Sequence, residues 1–452
     1  MPSVSSRSPR SPRSSGSSSP WRDSDFRRLW LGQTASQVGE HTSLVVLPLV
    51  AVLTLHADAG QLGALRAVGQ APILLFALFA GAWVDRWRTR TVMVLTDAGR
   101  ALALGGAAVA ALLGAAGLPL LLVVAFAVGV LSVFFDVAYQ ASLVRLVARD
   151  QLVRGNSALE GSRSAAQIGG PALGGALVSV LSAAAGVAAG AVFFGVSFLS
   201  IRRIRRVEAL PERESFPDGR TGRAGCDGCA GPVGRAPSVW RRIHEGLRFV
   251  VRDAALRTVG LASAAFQFSF AALMTVYLLF LPRELHLSGT AVGLALAATG
   301  PGALLGSLLA ARLPGRFGYG TVLVCAAALG DGVLLCLPVL HGPATLTVPV
   351  LLAVNFVFGV FGQLVNVTVM AVRQALTPDG MQGRAAATIT FAGMGTTPLG
   401  SLLGGWLAGE WGLRTALLVT AVGMMASPVL MALSPLARLG KTLPVAPVRC
   451  VR

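Results

Sequence analysis

Long apolar runs alternate with short polar connections along almost the whole chain. Crossing the ~30 Å hydrocarbon core of a bilayer takes roughly 20 helical residues, and from Leu29 onward the runs have about that length. The pattern predicts twelve membrane spans, over 29–55, 61–82, 92–115, 118–139, 157–181, 184–203, 257–281, 290–311, 320–340, 346–371, 385–408 and 413–434. Helices are the expected element.

The polar connections set the orientation. Lys and Arg collect on alternate connections: the N-terminal stretch (Arg7, Arg10, Arg13, Arg22, Arg27, Arg28), then Arg86, Arg88 and Arg90, then Arg145, Arg149 and Arg154, the central loop, Arg312 and Arg316, Arg373 and Arg384, and the C-terminal stretch. The intervening connections 56–60, 116–117, 182–183 and 341–345 hold none, with Arg283 and Arg414 as single exceptions. By the positive-inside rule both termini and the central loop are expected in the cytoplasm, as an even number of spans requires.

The same reading divides the chain. Residues 1–28, rich in Ser, Pro and Arg, are expected to be a disordered basic tail, too polar for a signal peptide. Residues 29–203 form a first six-helix bundle, 204–256 a cytoplasmic linker, 257–434 a second six-helix bundle and 435–452 a cytoplasmic tail. Within the linker, Trp240, Ile243, Leu247, Val250 and Val251 recur near helical spacing among Arg241, Arg242, Arg248 and Arg252, the pattern of an amphipathic helix on a membrane face.

Composition narrows the function classes. Hydrophobic residues are 54% of the 452 and charged residues 13%, which excludes a soluble globule. The net charge of +18 would suggest nucleic acid in a soluble protein. Here the basic residues flank apolar runs and face anionic lipid, so membrane lipids are the expected partners and nucleic acid is not. Five cysteines are scattered; Cys226 and Cys229 form a lone CDGC, open to a metal-site reading but better explained as loop. No metal and no cofactor are expected. There is no GxxxxGK[ST] loop for an ATP-driven pump, and no paired carboxylates or His cluster at one membrane depth for an enzyme.

The halves repeat each other. Pro72 matches Pro301, Arg86, Thr91 and Val92 match Arg316, Thr321 and Val322, Arg145 and Asp150 match Arg373 and Asp379, and Pro171 matches Pro398, at offsets of 227 to 230 residues. Two parallel six-helix repeats suit alternating access, the halves rocking about a site on their pseudo-two-fold axis.

The connection between the second and third spans contains Gly81, Asp85, Arg86 and Arg90 at a spacing that resembles the signature loop of the major facilitator superfamily. Arg88 stands where that family has glycine and Thr89 where it has a basic residue. The resemblance implies an all-α membrane fold of twelve helices in two pseudo-symmetric bundles, and a cytoplasmic gate. In that gate Asp85 accepts from the N-terminus of the eleventh span, a charge–dipole contact of up to about 2 kcal/mol, and Arg86 and Arg90 pair with Asp136. Asp97 and Arg100, one turn apart, read as an ion pair supporting the gate. Gly170, Pro171, Gly174 and Gly175 in the fifth span look like the core of the family's antiporter motif, associated with drug exporters. Further phrases, Leu95-Thr96-Asp97 and Arg149-Asp150-Gln151 among them, are similar to a bacterial exporter branch containing macrolide-efflux and enterobactin-exporter-like proteins.

Ionisable groups inside a bilayer cost about 2.5–3.5 kcal/mol on insertion scales, so they default to functional candidates. Glu40 lies mid-span with Gln33 and Gln37 below it and His41 beside it. Glu40 reads either as a proton-coupling carboxylate or as a structural hydrogen-bonding group; His41 and Asp331 are further coupling candidates. Arg66 either snorkels or attracts an anionic substrate. In the family the first, fourth, seventh and tenth spans line the cavity, which makes Gln37, Glu40, Phe134, Gln267, Phe270, Tyr277, Asn355, Gln363 and Asn366 the substrate-cavity candidates. Amides mixed with aromatics suit a bulky amphiphile better than a sugar.

Together these features lead to the expectation of a monomeric multi-pass protein of the cell membrane. It would be a proton-coupled antiporter exporting an amphiphilic drug, antibiotic or siderophore, with protons and the small-molecule substrate as partners. An importer or facilitator of a small metabolite, and a non-transporting receptor on the same fold, are the alternatives.

Overall fold

The computed structural model describes residues 21, 23–84, 87–146, 152–204, 239–378 and 381–442. All regular elements among them are helices. Residues 1–20 and 22 of the basic N-terminal stretch, Asp85, Arg86 and the CDGC of the central loop lie outside the described residues.

The first half comprises α1 (Ser24–Leu53), α2 (Ala59–Val84), α3 (Thr89–Leu112), α4 (Leu118–Leu146), α5 (Leu152–Val180) and α6 (Ala183–Arg202). The second begins with α7 (Val239–Arg252) and α8 (Ala254–Arg283), followed by α9 (Gly289–Ala297), α10 (Thr299–Ala310) and the short α11 (Leu313–Phe317). It continues through α12 (Tyr319–Val333), α13 (Ala344–Leu376), α14 (Gln382–Met394), α15 (Thr397–Trp411), α16 (Leu413–Met424) and α17 (Ala426–Ala432). Every predicted span falls on helix. Among the described residues nine stretches are long and apolar enough to cross a membrane. The other three predicted spans are helical too, as α2, α5 and the α14–α15 pair.

Boundaries differ from expectation where polar residues belong to helices. α1 starts at Ser24, not Leu29, because Asp23 accepts from the Asp25 N–H at 2.9 Å and Phe26 is buried. α8 starts straight after α7, capped by Asp253, which accepts from the Ala255 and Leu256 N–H groups at 3.0 and 2.9 Å. Asp23 and Asp253 are 230 residues apart and each opens a 30-residue helix. The C-terminal segment from 435 also begins in order: Leu436 is fully buried, and Tyr319 and Gly320 donate to the Gly440 and Leu439 carbonyls at 3.0 Å.

Three predicted spans are interrupted in mid-course. The eighth breaks at Ala298 between α9 and α10, just before Pro301. The eleventh breaks at Gly395–Thr396, just before Pro398. Proline lacks the N–H that would continue the ladder and crowds the preceding turn. Pro72 and Pro171, by contrast, lie inside unbroken helices. The twelfth divides at Met425 into α16 and α17, ahead of Pro428.

Packing follows two bundles. In the first, α1 lies against α5 and α6, α3 against α4 and α6, and α2 against α4; in the second, α8 lies against α14, α15 and α16, α10 against α13, and α12 against α13. Amphipathic α7 docks on α8 and α14 with Val250 buried and Leu247 and Val251 exposed. The halves meet along two seams, α2 on α15 and α5 on α9. Both are built from glycine, as expected where association depends on close backbone approach rather than on burial from water. A Cβ on Gly63 would stand 3.0 Å from the Gly405 Cα, and one on Gly175 would stand 2.8 Å from the Gly293 Cα. Cross-half bonds accompany them: the Thr290 N–H donates to Ser179 Oγ at 2.7 Å, and Gln70 Nε2 donates to Ser401 Oγ at 3.4 Å. These contacts gather toward the end of the molecule remote from the described termini, where the α1–α2 and α8–α9 corners lie.

Candidate functional site

The most polar interior feature is a knot in the first half centred on Arg100 of α3. Arg100 and Asp97, one turn apart on the same face, are both fully buried. Arg100 Nη2 donates to Asp97 Oδ1 at 2.5 Å and to Ser36 Oγ of α1 at 3.0 Å, while Nη1 donates to Ser132 Oγ of α4 at 3.2 Å. The second oxygen of Asp97 accepts from Ser197 Oγ of α6 at 2.5 Å. The guanidinium plane is sandwiched by Phe135 of α4 and Phe194 of α6, its carbon 4.3 Å from each ring centre, so cation–π contact replaces part of the lost hydration. One cation thus ties four helices together.

Glu40 of α1 stands at the open side of this knot. Its Oε2 is 4.0 Å from Arg100 Nη1, and its side chain keeps 25% exposure while Arg100 has none. Asp136 of α4 is within electrostatic reach of Glu40, Arg100 and the exposed Arg163 of α5. The arrangement is two guanidinium groups among three carboxylates, with Asp97 firmly paired and Glu40 held at the limit of an ion pair.

Asp97 and Arg100 form the expected pair, placed in the interior of α3 and bonded to α1, α4 and α6. Asp136 lies in the field of Glu40 and Arg100, and its expected partner Arg86 is outside the described residues. Arg90 donates to the Arg202 carbonyl at 2.5 Å, at a cleft of about 450 Å³ lined with Arg28, Arg202, Arg203 and Ile204. Gly81 is near the end of α2, and its partners Asp85 and Arg86 are outside the described residues. Ser36, Ser132, Ser197, Phe135 and Phe194 were not singled out from sequence. The available signal was spacing: Ser36 with Glu40 on one face of α1, and Ser132, Phe135 and Asp136 on one face of α4.

The glycine motif of α5 serves two neighbours. Gly170 and Gly174 lie against α1, where Thr42 Oγ1 donates to the Gly170 carbonyl at 3.3 Å and a Cβ on Gly170 would stand 2.6 Å from that of His41. Gly175 and Pro171 face the opposite way, against Gly289 and Gly293 of α9. The motif therefore links Glu40's helix to the other half of the molecule.

The remaining candidates separate. Gln33 and Gln37 are buried below Glu40. Tyr277 and Asn355 are buried against each other, Asn355 Nδ2 bonding Tyr277 Oη at 2.8 Å, so neither presents its polar group to open space in this state. Phe270 stacks between Phe266 and Phe358, centroids 5.5 and 5.7 Å apart. Phe134 stacks on exposed Trp83 at 6.0 Å. Gln267 lies beside Gly393, Gln363 beside Gly306, and Asn366 is exposed. Asp331 is buried in α12, away from the Arg100 knot. Among the described residues no group of three or more His, Cys, Asp or Glu is arranged to hold a metal ion.

Comparison with known proteins bears on this geometry. A family model described as Major Facilitator Superfamily matches residues 29–278, and one described as Transmembrane secretion effector matches residues 235–446. The chain is 28% identical over 417 residues to the multidrug efflux pump Tap of Mycobacterium tuberculosis, covering 85% of this chain and 87% of that one. It is 31% identical over 380 residues to an uncharacterized MFS-type transporter of the same organism, covering 80% of each. Similar solved structures include the nucleoside transporter NupG, with TM-score 0.68, 12% identity, and 90% and 98% coverage. They also include a bacterial homologue of the human lysosomal transporter Spinster in an inward-facing and occupied conformation, with TM-score 0.68, 15% identity, and 93% and 98% coverage. At such identities these structures speak for the fold alone.

Proposed function

The chain belongs to the major facilitator superfamily of transporters and is a multi-pass membrane protein, not an enzyme; from that premise we propose that it is a proton-coupled antiporter exporting an amphiphilic small molecule by alternating access. The observation that carries this reading is the position of Glu40, partly open and 4.0 Å from a fully buried Arg100. Asp97 satisfies Arg100 through a short bond, so Glu40 is the replaceable partner. A proton can load on Glu40 without leaving a buried cation unpaired, and can leave again when the site faces the other side. Asp136 offers a second carboxylate in the same field. Its charge makes the protonation of each acid depend on the other.

Direction and substrate class rest on further support. The multidrug efflux pump Tap is a relative over most of both chains. The α5 glycine motif joins the Glu40 helix to the seam between the halves, a route by which loading at Glu40 can bias the seam. The aromatic group of Phe266, Phe270 and Phe358 suits a flat apolar body. With both termini in the cytoplasm, as the Lys and Arg distribution favours, the glycine seams close the outer side, and substrate enters from the cytoplasm.

The test is transport in proteoliposomes under an imposed pH gradient, with a panel of dyes, antibiotics and siderophores. Wild type is expected to drive at least one amphiphile uphill, and Glu40→Gln to retain downhill movement while losing gradient-driven accumulation. Full uphill transport by Glu40→Gln would overturn the coupling role.

A further inference from the structure

Arg66 is a charge that the Glu40–Arg100 mechanism leaves unused. It lies two turns into α2 and is half-buried, yet its Nε is sealed from solvent without a hydrogen-bond partner. Among the described residues it takes part in no ion pair and no hydrogen bond. Arg100, the fully buried cation of the spans, also has a sealed, unpartnered Nε. Its two Nη groups, however, hold Asp97 and two serines and its plane lies between two aromatic rings, whereas no group of Arg66 has a partner among the described residues. A guanidinium in a membrane interior is costly to leave uncompensated, and a partnerless buried polar group calls for an explanation.

Its surroundings supply one. Three residues earlier, Gly63 packs on Gly405 of α15; four residues later, Gln70 donates to Ser401 of α15. Both contacts cross between the halves. Residues three and four apart share a helix face, so Arg66 stands on the seam face of α2, one turn closer to the middle of the membrane than the glycine contact that shuts the seam. The guanidinium is a planar fork of donors matched to two oxygens of a carboxylate, sulfonate or phosphate. Unlike Glu40 and Asp136, it repels cations.

We infer that Arg66 is the anion-binding group of the substrate site, taking a carboxylate, sulfonate or phosphate of the transported amphiphile at the closed end of the seam between α2 and α15. The inference rests on the transport reading above and deepens it: the preferred substrate carries an anionic oxygen on an aromatic or apolar body, and a purely cationic amphiphile is a poor ligand. An anionic lipid headgroup offers the same oxygens, so the experiment separates the two sources.

The test measures binding by the full chain in phosphatidylcholine nanodiscs, using fluorescence anisotropy with rhodamine B and rhodamine B ethyl ester. The two dyes share one ring system and differ in a free carboxylate. Wild type is expected to bind rhodamine B about tenfold or more tightly than Arg66→Gln does, the range of a charge-assisted hydrogen bond. Ester binding is expected to change by less than about twofold, and Arg66→Lys to recover part of the loss. Equal binding of both dyes to wild type, equal loss of both in Arg66→Gln, or no saturable rhodamine B binding would overturn the inference. So would displacement of rhodamine B from wild type by phosphatidylglycerol in the nanodisc, which assigns Arg66 to lipid. Carboxylate-selective binding that survives while uphill transport is absent would sink the transport reading and leave the anion site standing. Transport that persists with no dependence on Arg66 would do the reverse.

Discussion

His56 and His286 hold the same left-handed backbone, φ 51° in each, at positions 230 residues apart. They occupy the same place in a duplicated corner. Leu55 and Leu285 donate back to Val50 and Phe280 at 3.2 and 3.3 Å, and Ala57 and Leu287 donate to Ala51 and Leu281 at 2.8 and 3.1 Å. Each corner is a helix end closed by a residue at positive φ, a place normally taken by glycine. A side chain there costs about 1–2 kcal/mol. His56→Gly and His286→Gly are therefore expected to be neutral or to raise the thermal midpoint in detergent. Valine at either position is expected to lower stability by about 1–2 kcal/mol, since a β-branched residue tolerates positive φ worst. A valine variant that melts with wild type would show that the corner relaxes.

The same 230-residue offset relates Gly63 to Gly293 and Gly175 to Gly405, so the two seams are copies of one contact. Gly63→Val or Gly175→Val inserts bulk where a single Cβ already stands about 3 Å from backbone. Overpacking of this kind costs about 1–3 kcal/mol. Here it falls on the state in which the seam is shut, because separating the halves relieves it. The expected outcome is a roughly tenfold or larger fall in the shut population. Spin labels at Gln61 and Glu410 read it as a broadened, longer distance distribution. An unchanged distribution would mean that the glycines do not govern closure.

Arg283 and Arg414 break the alternation of basic connections, and both have structural work. Arg283 Nη2 crosses to the first half and donates to the Ala57 carbonyl at 2.5 Å, with the His56 carbonyl at 3.4 Å. Arg414 stays within its own half, pairing with Glu284 at 3.2 Å, bonding the Pro338 and Leu340 carbonyls at 2.8 and 3.0 Å, and lying over Phe280. Arg283 is exposed, so its contact is worth under about 1 kcal/mol. Arg283→Gln is expected to shift the shut population by less than about fivefold, in the same direction as the glycine variants but less far. Arg414→Gln is expected to lower the melting temperature and leave the Gln61–Glu410 distance unchanged. A reversal of these two effects would overturn the division of roles.

What could be read from sequence follows from what leaves a polar trace. The apolar runs fell on helix throughout, nine of them among the described residues long and apolar enough to cross a membrane, and Pro72, Pro171, Pro301 and Pro398 marked the repeat. The breaks at Ala298 and Gly395–Thr396 were not legible because Pro301 and Pro398 interrupt their spans while Pro72 and Pro171 do not, and a broken helix in apolar surroundings changes no hydropathy. Asp23 and Asp25 read as tail because capping residues look like loop until the helix they start is seen. The spacing of Asp97 and Arg100 announced a pair, but not that Ser36, Ser132 and Ser197 from three other helices converge on it. Periodicity assigns a face and cannot choose its partner. Glu40 was visible as a carboxylate in apolar sequence, whereas its relation to Arg100 is a long-range fact.

The Arg100 knot carries the sharpest stability expectation. Arg100→Met removes the cation and leaves Asp97 buried with only serine donors, the situation in which breaking a buried pair costs about 3–5 kcal/mol. Arg100→Lys keeps the charge but cannot reach Asp97, Ser36 and Ser132 together or fill the space between Phe135 and Phe194, so it is expected to recover less than half of that loss. Asp97→Asn combined with Arg100→Met removes both charges, and its cost is expected to fall well short of the sum of the single variants, by about 1–3 kcal/mol. Thermal unfolding of the four proteins in one detergent measures this cycle. Additive losses would mean that Arg100 stabilises the fold through its serine bonds and aromatic sandwich and not through Asp97. The premise that Asp97 satisfies Arg100, which leaves Glu40 as the replaceable partner, would then fail.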